Sequence, residues 1–344
     1  MLDIGLRWIA TADRRSFDKL RFICGLRGVR RHDGILWKVI LAVLEGDLDL
    51  TLAGCTAEGG RAATACRSAA WRALVAVGLA AVLAYGSAAA GVELEPKAVA
   101  GFARCVELTD LRNARELESG AGLLWVDALA AGEREADYAA LRRGEVELRK
   151  LQTLDGAAEI KVPGALIHHW VGAIYIPGVS VDDVLAVLQD YDRQSVYYAP
   201  DVERSKLESR DGQHFRVFLR FRRHKVITVV LDTEHDIHYF RDAAGMAHSR
   251  SSALRIAQME NPGAANEREK NPGDDDGFLW KMETWWRMEA RDGGVYVQSE
   301  VASLTRNIPT GLGWMVGPFV TSIPKESLTF TLEATRKAVL EKKR

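Results

Sequence analysis

The histidines are the first residues whose type could do chemistry, and their spacing argues against it. His168 and His169 are adjacent in an apolar run that reads as a strand, so their rings point to opposite faces and cannot share a metal ion. His235 and His238 are separated by an odd number of residues and fail in the same way. Cys24, Cys55, Cys66 and Cys105 form no CxxC pair, which argues against a structural zinc site. No HExxH, GxSxG or glycine-rich phosphate loop occurs. What remains is a set of polar or ionisable residues that a cavity could gather from distant strands for acid–base work: His168, Tyr191, Tyr197, Arg250 and Glu300. Arg250 shares strand parity with Leu254 and Ile256 and is expected to point inward with an ion-pair partner. No metal and no cofactor is expected, and the catalytic residues of any enzyme activity are not assigned.

A different kind of chemistry is legible in "FLWKMETWWRME". Alternation puts Trp280, Met282, Thr284, Trp286 and Met288 on one face, and Lys281, Glu283, Trp285, Arg287 and Glu289 on the other. A hairpin closed at Asp292-Gly293 pairs Arg291 with Gly294. Trp286 then faces Ser299, Met288 faces Val297 and Thr284 faces Val301, with Ser303 further along the same face. Broad apolar walls, adaptable methionines and a few hydroxyls are what a pocket for a hydrophobic ligand uses. The same row can also pack as plain core beneath a covering helix.

The formal net charge of -1 gives no general attraction to nucleic acid or anionic membrane. "HFRVFLRFRR" puts Arg216, Arg220 and Arg222 on one face, but the next strand brings Asp232, Glu234 and Asp236 to the same side. A basic stripe so neutralised is not a nucleic-acid surface, and no nucleic-acid partner is expected.

The elements that must position these residues run in a clear order. Pro96 opens a helical stretch to about residue 143, interrupted at Gly132. "GALIHHWVGAIYIPG" is a long strand stopped by Pro177-Gly178, and Ser180 caps the helix "SVDDVLAVLQDYD". Six strand-like runs follow, joined by turns at Asp211-Gly212, Arg223-His224, Ala244-Gly245 and Asp292-Gly293. One longer polar connection, "NPGAANEREKNPGDDDG", is expected to be mobile. "KESLTFTLEATRKAVLEKK" closes the chain as a helix with Leu328, Leu332, Thr335 and Val339 on one side. An antiparallel meander with one apolar face needs a cover, and this helix is the natural one.

In "IYIPGVSVDDVLAVLQDYD", the six-strand series and "SLTRNIPTG" leading into the last helix, the chain resembles the START-like (SRPBCC, helix-grip, Bet v 1-like) superfamily over about residues 155–344. The resemblance implies an α+β helix-grip fold, a curved antiparallel sheet wrapped around a long C-terminal helix. It also implies a binding or carrier protein for a hydrophobic small molecule or lipid, quinone or polyketide-like, held by the row named above. A cyclase or hydrolase on a hydrophobic substrate, or an interaction module with a filled core, fits the same pattern. The apolar, glycine-rich "GLGWMVGPF" at 311–319 is expected to act as a flap and to touch membrane.

Upstream, Arg67 and Arg72, the uncharged run Ala73–Ala84 and the small residues of "GSAAAG" have the three-part anatomy of a secretory signal, with Ala88 and Ala90 at the cleavage site. The run from Ala73 to Val92 is also just long enough for an uncleaved anchor. Either way residues after 91 are expected outside, periplasmic or extracellular. The expected organisation is a non-native or disordered extension over 1–66, a signal or anchor over 67–90, a helical prefix over 91–150 and a START-like domain over 151–344. The next methionine after Met1 is Met246, so a true start near Arg67 would use another codon.

Overall fold

The computed structural model describes residues 94–119, 122–224, 228–242, 245–271, 273–307 and 313–344; the side chains of 242 and 313–321 lie outside that description, as do the expected extension and signal at 1–90. Helix α1 (Pro96–Ser119), a short 3-10 helix (Trp125–Ala128) and α2 (Ala131–Arg142) come first. The break falls near residues 119–130, and Gly132 lies in the first turn of α2, where a glycine costs less than in a helix interior.

The strands are β1 (Glu147–Lys150), the small β2–β3 pair (Leu154–Asp155, Ala158–Glu159), β4 (Ala165–Pro177), β5 (Val202–Asp211), β6 (His214–His224), β7 (Thr228–Asp242), β8 (Met246–Glu260), β9 (Arg268–Glu269), β10 (Lys281–Arg291) and β11 (Gly294–Arg306). Between β4 and β5 lie α3 (Val181–Leu188) and the one-turn α4 (Gln194–Tyr197), and α5 (Gly313–Lys343) ends the chain. The main sheet runs β1-β4-β11-β10-β8-β7-β6-β5, with β9 added beside β8. All its pairs are antiparallel. The order of strand, helix, six long strands and long helix is the expected one.

Local chemistry explains the corners. Ser180 accepts from the Asp183 amide, and the Asp183 carboxylate takes the Ser180 amide, a capping box that starts α3. Asp292 and Gly293 both have positive φ, 57° and 74°, as the tight β10–β11 turn requires. That turn sets the register Arg291–Gly294, Met288–Val297, Trp286–Ser299 and Thr284–Val301.

Two expectations need correction. The polar connection after β8 is not a bare loop: β9 pairs Met259 with Glu269 and Glu260 with Arg268. The final helix begins at Gly313, not near Lys325, so 313–319 is helix backbone and not a loop flap, while 308–312 lie outside the described residues. Gly317, Pro318 and Pro324 read locally as helix breakers, but propensity is a weak prior beside tertiary context.

The sheet is covered on both sides. On the inner face, α3 and α5 pack with Ile174, Val217, Ile237, Met288, Val295 and Val297 in the main core. Leu328, Leu332, Ala334, Thr335, Ala338 and Val339 are the buried side of α5. A Cβ on Gly172 of β4 would stand 2.8 Å from Leu332, so glycine there lets the helix lie against the strand. On the outer face α1 packs through Ala98 and Phe102 against Ala165, Trp285, Ala302 and Leu304, while the 3-10 helix and α2 pack against Ala173, Tyr175 and Tyr296. No described helix is long and apolar enough to cross a membrane.

Candidate functional site

Strands β4, β11, β10 and β8 form the centre of the inner wall. Pairing across them aligns Gly172, Ser299, Trp286 and Ser249 in one row, and Trp170, Val301, Thr284 and Ser251 in the next. The wall divides along its length. Met288 and Val297 are wholly buried, inside the core that α3 and α5 close. Trp286 and Val301 are only half-buried, as are Trp170, Phe221 and Phe330 beside the same core. Met282 and Thr284 are also half-buried, and Ser303 is buried. Large apolar side chains on a covered face that remain incompletely buried mark where packing stops and a wall begins.

Three buried polar atoms on this wall have no hydrogen-bond partner: the hydroxyls of Ser249 and Ser299 and the indole N–H of Trp170. The last two lie on adjacent strands of the same face, Ser299 opposite Gly172 and Trp170 opposite Val301. An unmet buried donor costs about 1–3 kcal/mol, so three of them call for an explanation. His168, nearby on the same face, is paired: its Nε2 lies 3.0 Å from the Thr305 hydroxyl. Burial, and then the charge of Lys150, push the His168 imidazole below its ordinary pKa. On β7, His235 is buried with Nε2 2.9 Å from the Thr233 hydroxyl, and burial lowers its pKa to about 4. Both rings are therefore neutral near pH 7.

Trp280 stands at the edge of the row, just before β10; its indole N–H donates to Asp275 at 2.8 Å, and its ring packs against the cluster of Phe102, Ala165 and Leu304. With Leu231, Ile256 and Gln258 it lines a cavity of about 40 Å³, too small for a drug-sized ligand.

The other singled-out residues fall elsewhere. Tyr191 and Tyr239 share a hydroxyl–hydroxyl bond of 2.8 Å inside the core, and burial pushes the Tyr191 phenol well above its ordinary pKa. Tyr197 donates to Asp190 near the end of α5. Arg250 is not inward: it is opposite Trp285 and binds Asp110 of α1 at 2.9 Å. The cause is a bulge. Glu234 pairs with Arg255 but His235 pairs with Ala253, so Leu254 is an extra residue that flips parity along β8.

Glu300 is the centre of a buried polar layer between the sheet and α1. It binds His169 Nε2 at 2.6 Å and the guanidinium of Arg112. Burial alone would raise its carboxyl pKa, but His169 and Arg112 outweigh that and hold it below the usual range. Burial alone would lower the His169 pKa, but bonds to Cys105 and Glu300 raise it instead. Arg287 donates to the Leu123 carbonyl and to Asn113, and Trp285 donates to Asp110 at 2.7 Å. These pairs help dock α1 and the segment after it onto the sheet.

The arginine stripe is neutralised as expected, with a different register. Arg220 makes a two-point pair with Asp232 and also binds Glu267, while Arg216 pairs with Asp236.

The fold is an antiparallel sheet holding a long C-terminal helix, with further helices on the outer face. No family model matches the chain, and no curated protein matches it. Among solved structures it is similar to a STAR-related lipid transfer protein from Xanthomonas axonopodis, at 18% identity and a TM-score of 0.37, over 56% of this chain and 98% of that one. It is also similar to the Zhui aromatase/cyclase of a Streptomyces species, at 13% identity and a TM-score of 0.34, over 52% of this chain and 97% of that one. Human STARD10 is similar at 10% identity and a TM-score of 0.37, over 62% of this chain and 81% of that one.

Proposed function

We propose that this protein binds and carries a hydrophobic small molecule against the inner wall of the sheet, beneath α5, without covalent chemistry. The observation that carries this reading is the pair of unpartnered buried donors, Ser299 Oγ and Trp170 Nε1, set among half-buried Trp286, Val301 and Thr284. Such a wall suits a ligand with an apolar body and at least one oxygen acceptor, as lipids, quinones and polyketide-like molecules have. Shielding its apolar surface supplies about 25 cal/mol per Å², and the two donors fix its orientation. Thr284, Ser299 and Ser303 are the polar anchors and Met282, Trp286 and Val301 the apolar walls, with Met288 and Val297 in the packed core that backs them. We further propose that the carrier acts outside the cytoplasm, by virtue of the signal-like segment 67–90, and that residues 311–319 meet the membrane during loading.

The test is native mass spectrometry of the gently purified full-length protein, with extraction and identification of what co-purifies, and uptake of fluorescent fatty-acid and quinone probes. A stoichiometric apolar adduct, released by Trp286→Ala, supports the proposal. Protein without adduct that takes up no probe would sink it in favour of a filled-core module. A probe recovered as a new species points to an enzyme.

A further inference from the structure

Outside the ligand wall, on the other face of the sheet, three metal-ligating side chains converge. His214 opens β6 and lies directly opposite His238 of β7; Asp236 is two residues along β7 on the same face. The two imidazoles stack with centroids 4.0 Å apart and planes 10° apart. Both turn Nε2 toward one carboxylate: His214 bonds Oδ1, and His238 Nε2 is 3.5 Å from Oδ2. One ligand atom from each of the three lies within 4.8 Å of the others. The side chains are open to solvent, with 37%, 24% and 47% exposure for His214, Asp236 and His238.

We propose that His214, Asp236 and His238 bind one divalent transition-metal ion of the zinc class and so clamp β6 to β7. Two imidazole nitrogens and one carboxylate oxygen suit zinc, nickel, cobalt or copper, and not magnesium or calcium, which prefer all-oxygen sites. Zinc holds nitrogen and oxygen at about 2.0–2.2 Å, so its ligands sit roughly 3–3.5 Å apart. To reach that spacing the stacked rings must open so that both Nε2 lone pairs converge on the ion, while two paired strands hold the backbone. Three protein ligands leave a fourth position for water. Two cations oppose the ion. Arg216 Nε lies 3.0 Å from Asp236 Oδ1 and must be displaced from it. Arg250, opposite His238 on β8, is held by Asp110 and Glu283. Arg216 therefore limits the affinity of the site.

Spacing along one strand cannot reveal this cluster. His235 and His238 do face opposite sides, but the partner that matters comes from across the hairpin. The site is independent of what occupies the inner wall.

The test is zinc titration of the full-length protein by calorimetry, with cobalt absorption as a spectroscopic check, for the wild type and His214→Ala, His238→Ala, Asp236→Asn and Arg216→Ala; His224→Ala is the control. The expected result is one equivalent of zinc lost, or bound at least about tenfold more weakly, in each of the first three variants. Arg216→Ala should bind several-fold more tightly, and the control unchanged. Zinc should raise the wild-type melting temperature and leave that of His214→Ala unmoved. Equal zinc affinity and stoichiometry in the wild type and the two histidine variants would overturn the proposal. If those variants fail to fold, Asp236→Asn keeps the side-chain shape, and unchanged zinc binding there overturns it equally.

Discussion

His235 shows how one buried side chain sets a pH limit. Unfolded, its ring takes a proton near its ordinary value of 6.5; folded, burial defers that to about 4. Between those values the unfolded chain binds more protons, so falling pH favours unfolding. The contribution is fully present above about 6.5 and is lost as pH falls through about 4, amounting to up to about 3 kcal/mol. His235→Gln, which keeps a donor for Thr233, should therefore lose less stability on acidification. Urea unfolding at about pH 7 and about pH 4.5 should show a drop smaller by about 2 kcal/mol in the variant; equal drops would remove His235 as the acid-sensitive group. The unpartnered donors behave differently, because their cost is already present in the ligand-free protein. Ser299→Ala deletes one hydroxyl and keeps the shape, whereas Trp170→Phe removes the indole N–H together with part of the ring. Ser299→Ala should melt no lower than the wild type without ligand, and both variants should bind an oxygen-bearing apolar probe several-fold more weakly. A lowered melting temperature with unchanged probe affinity would reassign both groups to the core.

At the scale of elements, the sheet was legible because its signals are local. Alternation with period two sorted Met282, Thr284, Trp286 and Met288 from Glu283, Trp285 and Arg287, and one Asp-Gly turn set the β10–β11 register. What escaped was whatever depends on partners distant in sequence. Trp285, Arg287 and Glu300 have the look of a solvated face, but α1 lies over them and binds them through Asp110, Asn113 and Arg112. Helix α1 gave little warning, since Thr109 and Asn113 are among its buried residues. A single bulged residue turns Arg250 outward against its sequence parity, and no short turn fixes the β4–β11 register that brings Trp170 to the wall. The α1 layer makes its own prediction. Glu300→Ala leaves the buried His169 and the half-buried end of Arg112 without their anion and should cost about 3 kcal/mol or more in chemical denaturation. Glu300→Gln keeps hydrogen bonding and should cost less. Equal, negligible losses would mean that α1 is held by its apolar contacts alone.

The described residues from Leu94 onward form three layers, with one sheet between a helix pair on its inner face and α1, the 3-10 helix and α2 on its outer face. Adjacent residues of β10 therefore report on different jobs. Trp285 is 5% exposed, packed beneath α1 and bonded to Asp110, so it belongs to the layer that stabilises the sheet. Trp286 points the other way, toward Ser299, and is only half-buried. Trp285→Ala should cost about 3–5 kcal/mol, the usual range for a buried large aromatic, and leave probe affinity unchanged in the fraction that stays folded. Trp286→Ala should cost less than half of that, because part of its surface has no protein neighbour to lose, and should weaken uptake of an apolar probe or change which chain length is preferred. Measuring denaturation midpoints and fluorescent-lipid uptake for both variants separates a wall from a core by the direction in which the two losses fall. If Trp286→Ala is the more destabilising and neither variant alters uptake, the inner face is packed core like the outer one, and the carrier reading fails with it.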